Sequence, residues 1–367
     1  MTWFNRINWI RVALFNFLIV SFYGMLMRYK IGFEFPFFNQ KSLQHAHSHF
    51  AFSGWVALLL MVLMVRVIEK SLDEKTMQRY RLLFAAFLIV ALGNLFSFTA
   101  QGYGPVSISF SVLSILLSFL FAGMYFTSVL KNKINFSARK WFFAALVFSV
   151  ISALGTFYLS YMMATKNVEQ NAYLASVYWY LHFQYNGWFF FAIAGLFVDY
   201  LQKKGALPVS INRLFWMFAL SCIPAYGLSV LWWDLPIWLF VVVCVAAVVQ
   251  FYAVIKFLLD FNTSKRLGDF QWNGLIKFLL LFVAFALSMK FLLQLGSAVP
   301  AIAKFAFGFR PIVIAYLHLV LLAFTSLFLV MYVYMNEFLQ FGKIAVIGIW
   351  LLTVGILLNE VVLALQG

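Results

Sequence analysis

Acid is scarce in this chain. There are 11 Asp and Glu against 26 Lys and Arg, and charged residues of both signs fill only 10% of 367 positions. An ordinary soluble surface is excluded, because globular domains carry about a quarter of their residues as charges. Cysteine is nearly absent. Cys222 and Cys244 both fall inside apolar runs, where small buried hydrophobes are expected, not a disulfide framework or a thiolate centre. The five histidines are too few for a desaturase-type diiron site, and no H-E-x-x-H pattern marks a metalloprotease. No polar stretch is long enough for a soluble domain, and neither a low-complexity linker nor an internal repeat is expected.

What the chain has in excess is hydrophobicity. Apolar residues make up 65% of it, in recurring runs of about twenty residues, each long enough to cross a hydrocarbon core as a helix. Strands of a barrel would alternate, and these runs do not. The expected fold is an all-α integral membrane protein, one transmembrane domain over residues 1–367. Spans are placed at about 9–28, 44–66, 80–99, 107–130, 140–163, 175–198, 211–232, 236–257, 274–294, 312–335 and 343–365. "NWIRVALFNFLIVSFYGMLM" reads as the first of these eleven spans and not as a cleaved signal, since it lacks a small-residue cleavage pattern.

The net charge of +15 is explained by topology and not by nucleic acid, because the basic residues sit in short loops. With the N-terminus in the cytoplasm, 19 of the Lys and Arg residues fall inside, among them Arg6, Arg66, Arg81, Lys265 and Arg266. Seven fall outside: Arg28, Lys30, Lys41, Lys166, Lys290, Lys304 and Arg310. An odd number of spans then puts the C-terminus on the opposite side, periplasmic if the membrane is a bacterial inner membrane. Outer loops such as "QGYGP" and "WWDLP" are aromatic and nearly uncharged, as suits an interface.

Three of the five histidines crowd into "QHAHSHF": His45, His47 and His49. They open the second span at its outer end. His182 lies a short way into the sixth span and His318 into the tenth, both entered from the same side. At 1.5 Å per residue all lie about 10 Å below the outer boundary. His45 and His49, four apart, share a helix face, and His47 is turned roughly 160° away. His49 is the deepest and the leading ligand candidate. His45 could serve as a hydrogen-bonding support.

Other polar groups reach this layer. Gln184 and Asn186 follow His182, Lys290 stands near the outer end of span nine, and Asn359 and Glu360 near that of span eleven. Ionisable residues at depth are costly and therefore functional candidates. Arg28, Lys290 and Arg310 suit anionic groups such as haem propionates, with interfacial snorkelling as the alternative. Glu360 is open between metal ligand, proton carrier and partner of Lys290.

Histidines on spans two, six and ten, all near one face, resemble subunit I of the haem-copper oxidases. "HSHFAFSG" is similar in spacing to the His-x-His-x4-Gly stretch of the NnrS family, and the chain as a whole looks like the short oxidase-like membrane proteins of Bacteroidetes. The resemblance implies an oxidase-like helical bundle in a bacterial inner membrane, holding a b-type haem. His49 or His47 and His318 would be axial ligands, and His182 would sit at the place of a copper ligand. Departures are clear. Span seven, "INRLFWMFALSCIPAYGLSVLWW", has no histidine, span six lacks His-Pro-Glu, and Tyr316 stands where the oxidases have a second histidine on span ten. A complete oxidase that pumps protons is not expected.

The functional expectation is a haem-binding membrane protein, with copper as a further metal, acting in electron transfer, gas binding or nitric oxide-related chemistry. A redox partner or other membrane subunits would accompany it. Two alternatives remain: a transporter or channel with a polar outer pocket, or a small-metal protein holding zinc or copper on His45, His47, His49, His182, His318 and Glu360.

Overall fold

A computed structural model describes residues 8–262, 272–303 and 309–366; Arg6, Lys265, Arg266 and Lys304 of the topology count lie outside them. Every described element is helical. In chain order these are α1 (Trp9–Gly32), α2 (Gln40–Phe50), a π segment π1 (Ala51–Ala57), α3 (Leu58–Ile68), α4 (Glu74–Gln101), α5 (Pro105–Lys131) and α6 (Arg139–Thr165). Then come α7 (Gln170–His182), π2 (Phe183–Phe189), α8 (Phe190–Lys203), α9 (Ile211–Cys222), α10 (Ile237–Asn262) and α11 (Gly274–Gly296). The chain closes with α12 (Arg310–His318), π3 (Leu319–Ser326), α13 (Leu327–Met335) and α14 (Lys343–Gln366).

Short polar side chains start the helices. Asn39 Oδ1 accepts from the backbone N–H groups of Lys41 and Ser42 at 2.9 and 3.1 Å, which opens α2 with the first-turn donors satisfied. Asp73 does the same for α4 through Thr76 N–H at 2.8 Å, and the bonds from Thr76 hold its carboxyl below the usual range. Glu169 caps α7 through Asn171 and Ala172, and Asn273 caps α11 through Ile276. Gly102, at φ 62°, ends α4 in a backbone conformation that costs an L side chain energy. Pro105 then begins α5 at a position where no N–H is needed.

Among the described residues, nine helices are long and apolar enough to cross a membrane, and ten if Ile211–Cys222 and the bent 3-10 turn Pro224–Val230 form one span. The expected span at 175–198 is helical throughout, as α7–π2–α8, yet it is not among them. His182, Gln184 and Asn186 dilute its hydrophobicity. The outward faces of the apolar helices stay greasy: Leu113, Leu116 and Leu120 on α5 and Leu351, Leu358 and Val362 on α14 are exposed. Such surfaces belong in lipid. This is a multi-pass helical membrane protein.

The chain divides into two compact units, residues 1–150 and 151–367, with the boundary inside α6. In the first, α2–π1–α3 is the central rod. Residues Leu58 to Val65 are all buried, whereas a helix packed on one side only would show alternation around its axis. α1 packs on π1, α2 on α4, and α4 on α5. Phe17 stacks on buried Trp55 at 4.5 Å.

In the second unit α7 and π2 lead into the buried α8, α10 packs on α9 and α11, α11 on π3, and α12 on α14. Two glycines allow close approach. A Cβ at Gly155 would come within 2.5 Å of the Ser176 carbonyl, and one at Gly227 within 2.3 Å of Val243. In lipid, where packing and not water exclusion holds helices together, such contacts carry much of the cohesion.

Candidate functional site

Among the described residues there are three π segments, and each follows a histidine. π1 begins two residues after His49, and π2 and π3 begin directly after His182 and His318. The underlying sequences match as well: "HFAFSGW" from His49, "HFQYNGW" from His182 and, more loosely, "HLVLLAF" from His318. The first two share His-Phe, an aromatic, a small polar residue and Gly-Trp. This short repeat corrects the expectation of none. Seven residues are too few to stand out from sequence alone, and the shared backbone geometry makes them visible.

A π turn widens the helix and spoils the regular ladder of backbone bonds, so it is found mostly where a site needs it. Here side chains take up the released carbonyls. Buried Asn16 of α1 donates Nδ2–H to Gly54 O at 2.6 Å. Ser53 Oγ donates to His49 O at 2.7 Å and Ser326 Oγ to Leu321 O at 2.8 Å. Gly54 has no room for more: an added Cβ would meet the Phe50 ring at 2.5 Å.

The three imidazoles of α2 divide between two faces, as their spacing requires. His47 turns toward α1, where Nδ1 meets the Val20 carbonyl at 3.0 Å and its ring lies against Gly24. His45 and His49 turn toward the end of α4. His49 stacks on Phe98 with ring centroids 4.2 Å apart, and its Nε2 lies 3.4 Å from the Tyr103 hydroxyl. His45 packs edge-on against the Tyr103 ring at 4.5 Å, and its buried Nε2 has no hydrogen-bond partner. Sequence reading missed Tyr103 and Phe98. The turn "QGYGP" was visible only as an interfacial aromatic loop, and nothing local tells which helix it will cover.

In the second unit His182 is fully committed. Buried to 1% exposure, it donates Nε2–H to Cys222 O at 2.8 Å, and its Nδ1 accepts from Asn186 Nδ2 at 3.1 Å. Both ring nitrogens are engaged, which fixes the tautomer and leaves no lone pair for a metal in this arrangement. Lys290, with no exposed surface, donates Nζ–H to Gln294 Oε1 at 3.3 Å, and Gln294 Nε2 donates to Gln250 Oε1 at 3.0 Å. The ammonium also sits 3.5 Å from the Phe291 ring centre, a cation–π contact that partly offsets desolvation. The described ion pairs do not include Lys290 with Glu360. Glu360 is partly buried on α14 and takes a long bond from Asn359 at 3.4 Å.

His318, partly buried at the end of α12, directs Nδ1 to the Ile314 carbonyl at 2.8 Å. A carbonyl on Nδ1 makes that nitrogen the protonated one and Nε2 the lone-pair donor, the arrangement metal-ligating histidines use. His47 has the same feature through Val20. Arg28 is exposed near the end of α1. Arg310 opens α12, and its side chain lies outside the described residues. Within each unit, among the described residues, no three of His, Cys, Asp and Glu gather as a metal-holding group. A small-metal site built from protein carboxylates, thiolates and imidazoles alone is therefore not assembled within either unit. Comparison with protein-family models and with curated proteins finds no match to this chain.

Proposed function

We propose that this chain is a haem-binding protein of a bacterial inner membrane, crossing it eleven times in an oxidase-like order with the N-terminus cytoplasmic and the C-terminus periplasmic. The orientation rests on the distribution of basic residues. The eleventh crossing rests on α7–π2–α8, 34 helical residues in which Ser176, His182, Asn186 and Asp199 are buried and the exposed polar residues stand at the two ends. The observation that carries the haem reading is the carbonyl on Nδ1 of both His318 and His47. It makes Nε2 the unprotonated nitrogen of each ring, on helices whose backbone is loosened into a π turn just beyond the histidines. Between the two α2 candidates, this bond favours His47 over His49, whose Nε2 faces a phenol.

A b-type haem held by these imidazoles would supply one-electron transfer or gas binding, including nitric oxide chemistry, with electrons from a redox partner or another membrane subunit. The chain's own residues orient the imidazoles through the Val20 and Ile314 carbonyls. His182, held by Cys222 and Asn186, is a structural group, which argues against a copper centre at its ring. Arg28 and Arg310 are the residues proposed to meet the propionates, and Lys290 is left in its own polar nest.

The test is an absorbance spectrum of purified protein, produced with haem supplied, oxidised and then reduced. A Soret band that sharpens on reduction, lost in His318→Ala and His47→Ala but kept in His45→Ala, is the expected result. A folded wild-type protein without visible absorbance would overturn the reading and favour a transporter with a polar outer pocket.

A further inference from the structure

Three side chains at the mouth of α2 have no place in the haem reading. We propose that His45, His49 and the hydroxyl of Tyr103 form a site for one divalent transition metal, zinc or copper(II), separate from any haem.

Spacing comes first. His45 and His49 are four residues apart on a regular stretch of α2, which sets them on one face, the arrangement by which helices present paired imidazoles to metal ions. His47 cannot join them, because its ring is bonded to the Val20 carbonyl on the opposite face. The three histidines therefore split into a pair and a single ring.

Geometry on the paired face agrees. Both rings meet Tyr103, at 4.5 Å for His45 and 6.1 Å for His49 between ring centres, and the phenol oxygen stands 3.4 Å from His49 Nε2. That is long for a hydrogen bond to a ring nitrogen. His45 Nε2 is buried and has no hydrogen-bond partner, and an unmet polar atom of this kind is costly unless something binds it. A metal ion taking His45 Nε2, a His49 ring nitrogen and the Tyr103 oxygen would meet that need and use three donors of types zinc and copper accept.

The surroundings hold the donors in place. Phe98 lies nearly parallel to the His49 ring, 18° between planes, and 6.1 Å from that of His45, which limits both rotamers. Tyr103 is fixed by its turn, in which Ser107 Oγ donates to Gly102 O at 2.7 Å and accepts from Gly104 N at 2.9 Å. Tyr103 remains 57% exposed, so the site opens at the surface of the chain and keeps room for a fourth ligand. The charged group acting on His45 is Lys41, one turn earlier. It opposes a cation and points to moderate, exchangeable binding, not to a permanent structural ion.

The experiment titrates untagged, chelator-treated protein in detergent with zinc chloride, and in a second series with copper(II), followed by calorimetry at neutral pH. One ion per chain is expected, bound at least tenfold more weakly in His45→Gln and several-fold more weakly in Tyr103→Phe. Circular dichroism of each variant excludes loss of fold as the cause, and Tyr103→Phe, at an exposed ring, keeps the test decisive if a histidine variant is unstable. Absence of stoichiometric binding by the wild type, or equal binding by His45→Gln, would overturn the proposal. The result is independent of the haem reading, since the ion is titrated whether or not the sample is coloured.

Discussion

Two stretches of this protein share four of seven residues and put their first side chain to different uses. In "HFAFSGW" the His49 ring lies partly exposed against Phe98, its one long polar contact a tyrosine at the edge of the molecule. In "HFQYNGW" the His182 ring is buried, with both nitrogens bonded to its own unit. The backbone does the same thing in both, turning to π geometry just after the histidine. What differs is the neighbour. Cys222 offers His182 a carbonyl at the end of α9, and Asn186, at the place of Ser53 in the first copy, reaches back to the ring. Ser53 is too short to do so and bonds its own backbone at His49 O. The Asn186 amide and the Cys222 carbonyl together make His182 a committed imidazole, and His49 has neither.

The contrast can be broken most severely by removing each ring. His182→Ala leaves the Cys222 carbonyl and the Asn186 amide buried without partners, and each unmet group costs about 1–3 kcal/mol. Its thermal unfolding midpoint in detergent should fall far below that of the wild type. His49→Ala, at a site with little to unsatisfy, should shift the midpoint by no more than a small fraction of that. Equal losses would show that His49 is as structural as His182.

Crowding the π segment gives a middle-sized effect. Gly54→Ala drives a methyl into the Phe50 ring, and overpacking of this kind costs roughly 1–3 kcal/mol. Thermal melts should register it, together with weaker metal binding at His49, because Phe50 is the next residue on the same turn. An unchanged melting profile would mean that the segment relaxes to α geometry without penalty.

The smallest change, and one of opposite sign, is expected at Lys290. Its ammonium is buried against Phe291 and reaches one amide, and replacing buried charges with apolar groups of similar volume is often neutral or stabilising. Lys290→Met should therefore leave stability level or slightly higher and keep the haem spectrum. Loss of that spectrum would return Lys290 to the propionates, where its sequence position alone had placed it.

How much was legible beforehand varies by kind of information. The membrane class, the positions of most spans and the two-faced arrangement of His45, His47 and His49 follow from hydropathy and from the 3.6-residue turn, and the structure bears them out. The sixth span was legible as a helix but is too polar to be counted by composition. The pairing of Lys290 with Glu360 could not be judged in advance, because depth in a helix says nothing about rotation about its axis. Lys290 turned toward Gln294 on its own helix, and that amide leads on to Gln250.

Sequence by itself determined that this chain lives in lipid as helices and that imidazoles fall on three of them, because both follow from local pattern and chain length. Tertiary structure alone decided which imidazoles are available. A ring nitrogen is a ligand or a structural bond depending on the group opposite it, and those groups, Tyr103, Val20 and Cys222, come from distant turns and helices that no local spacing brings into view.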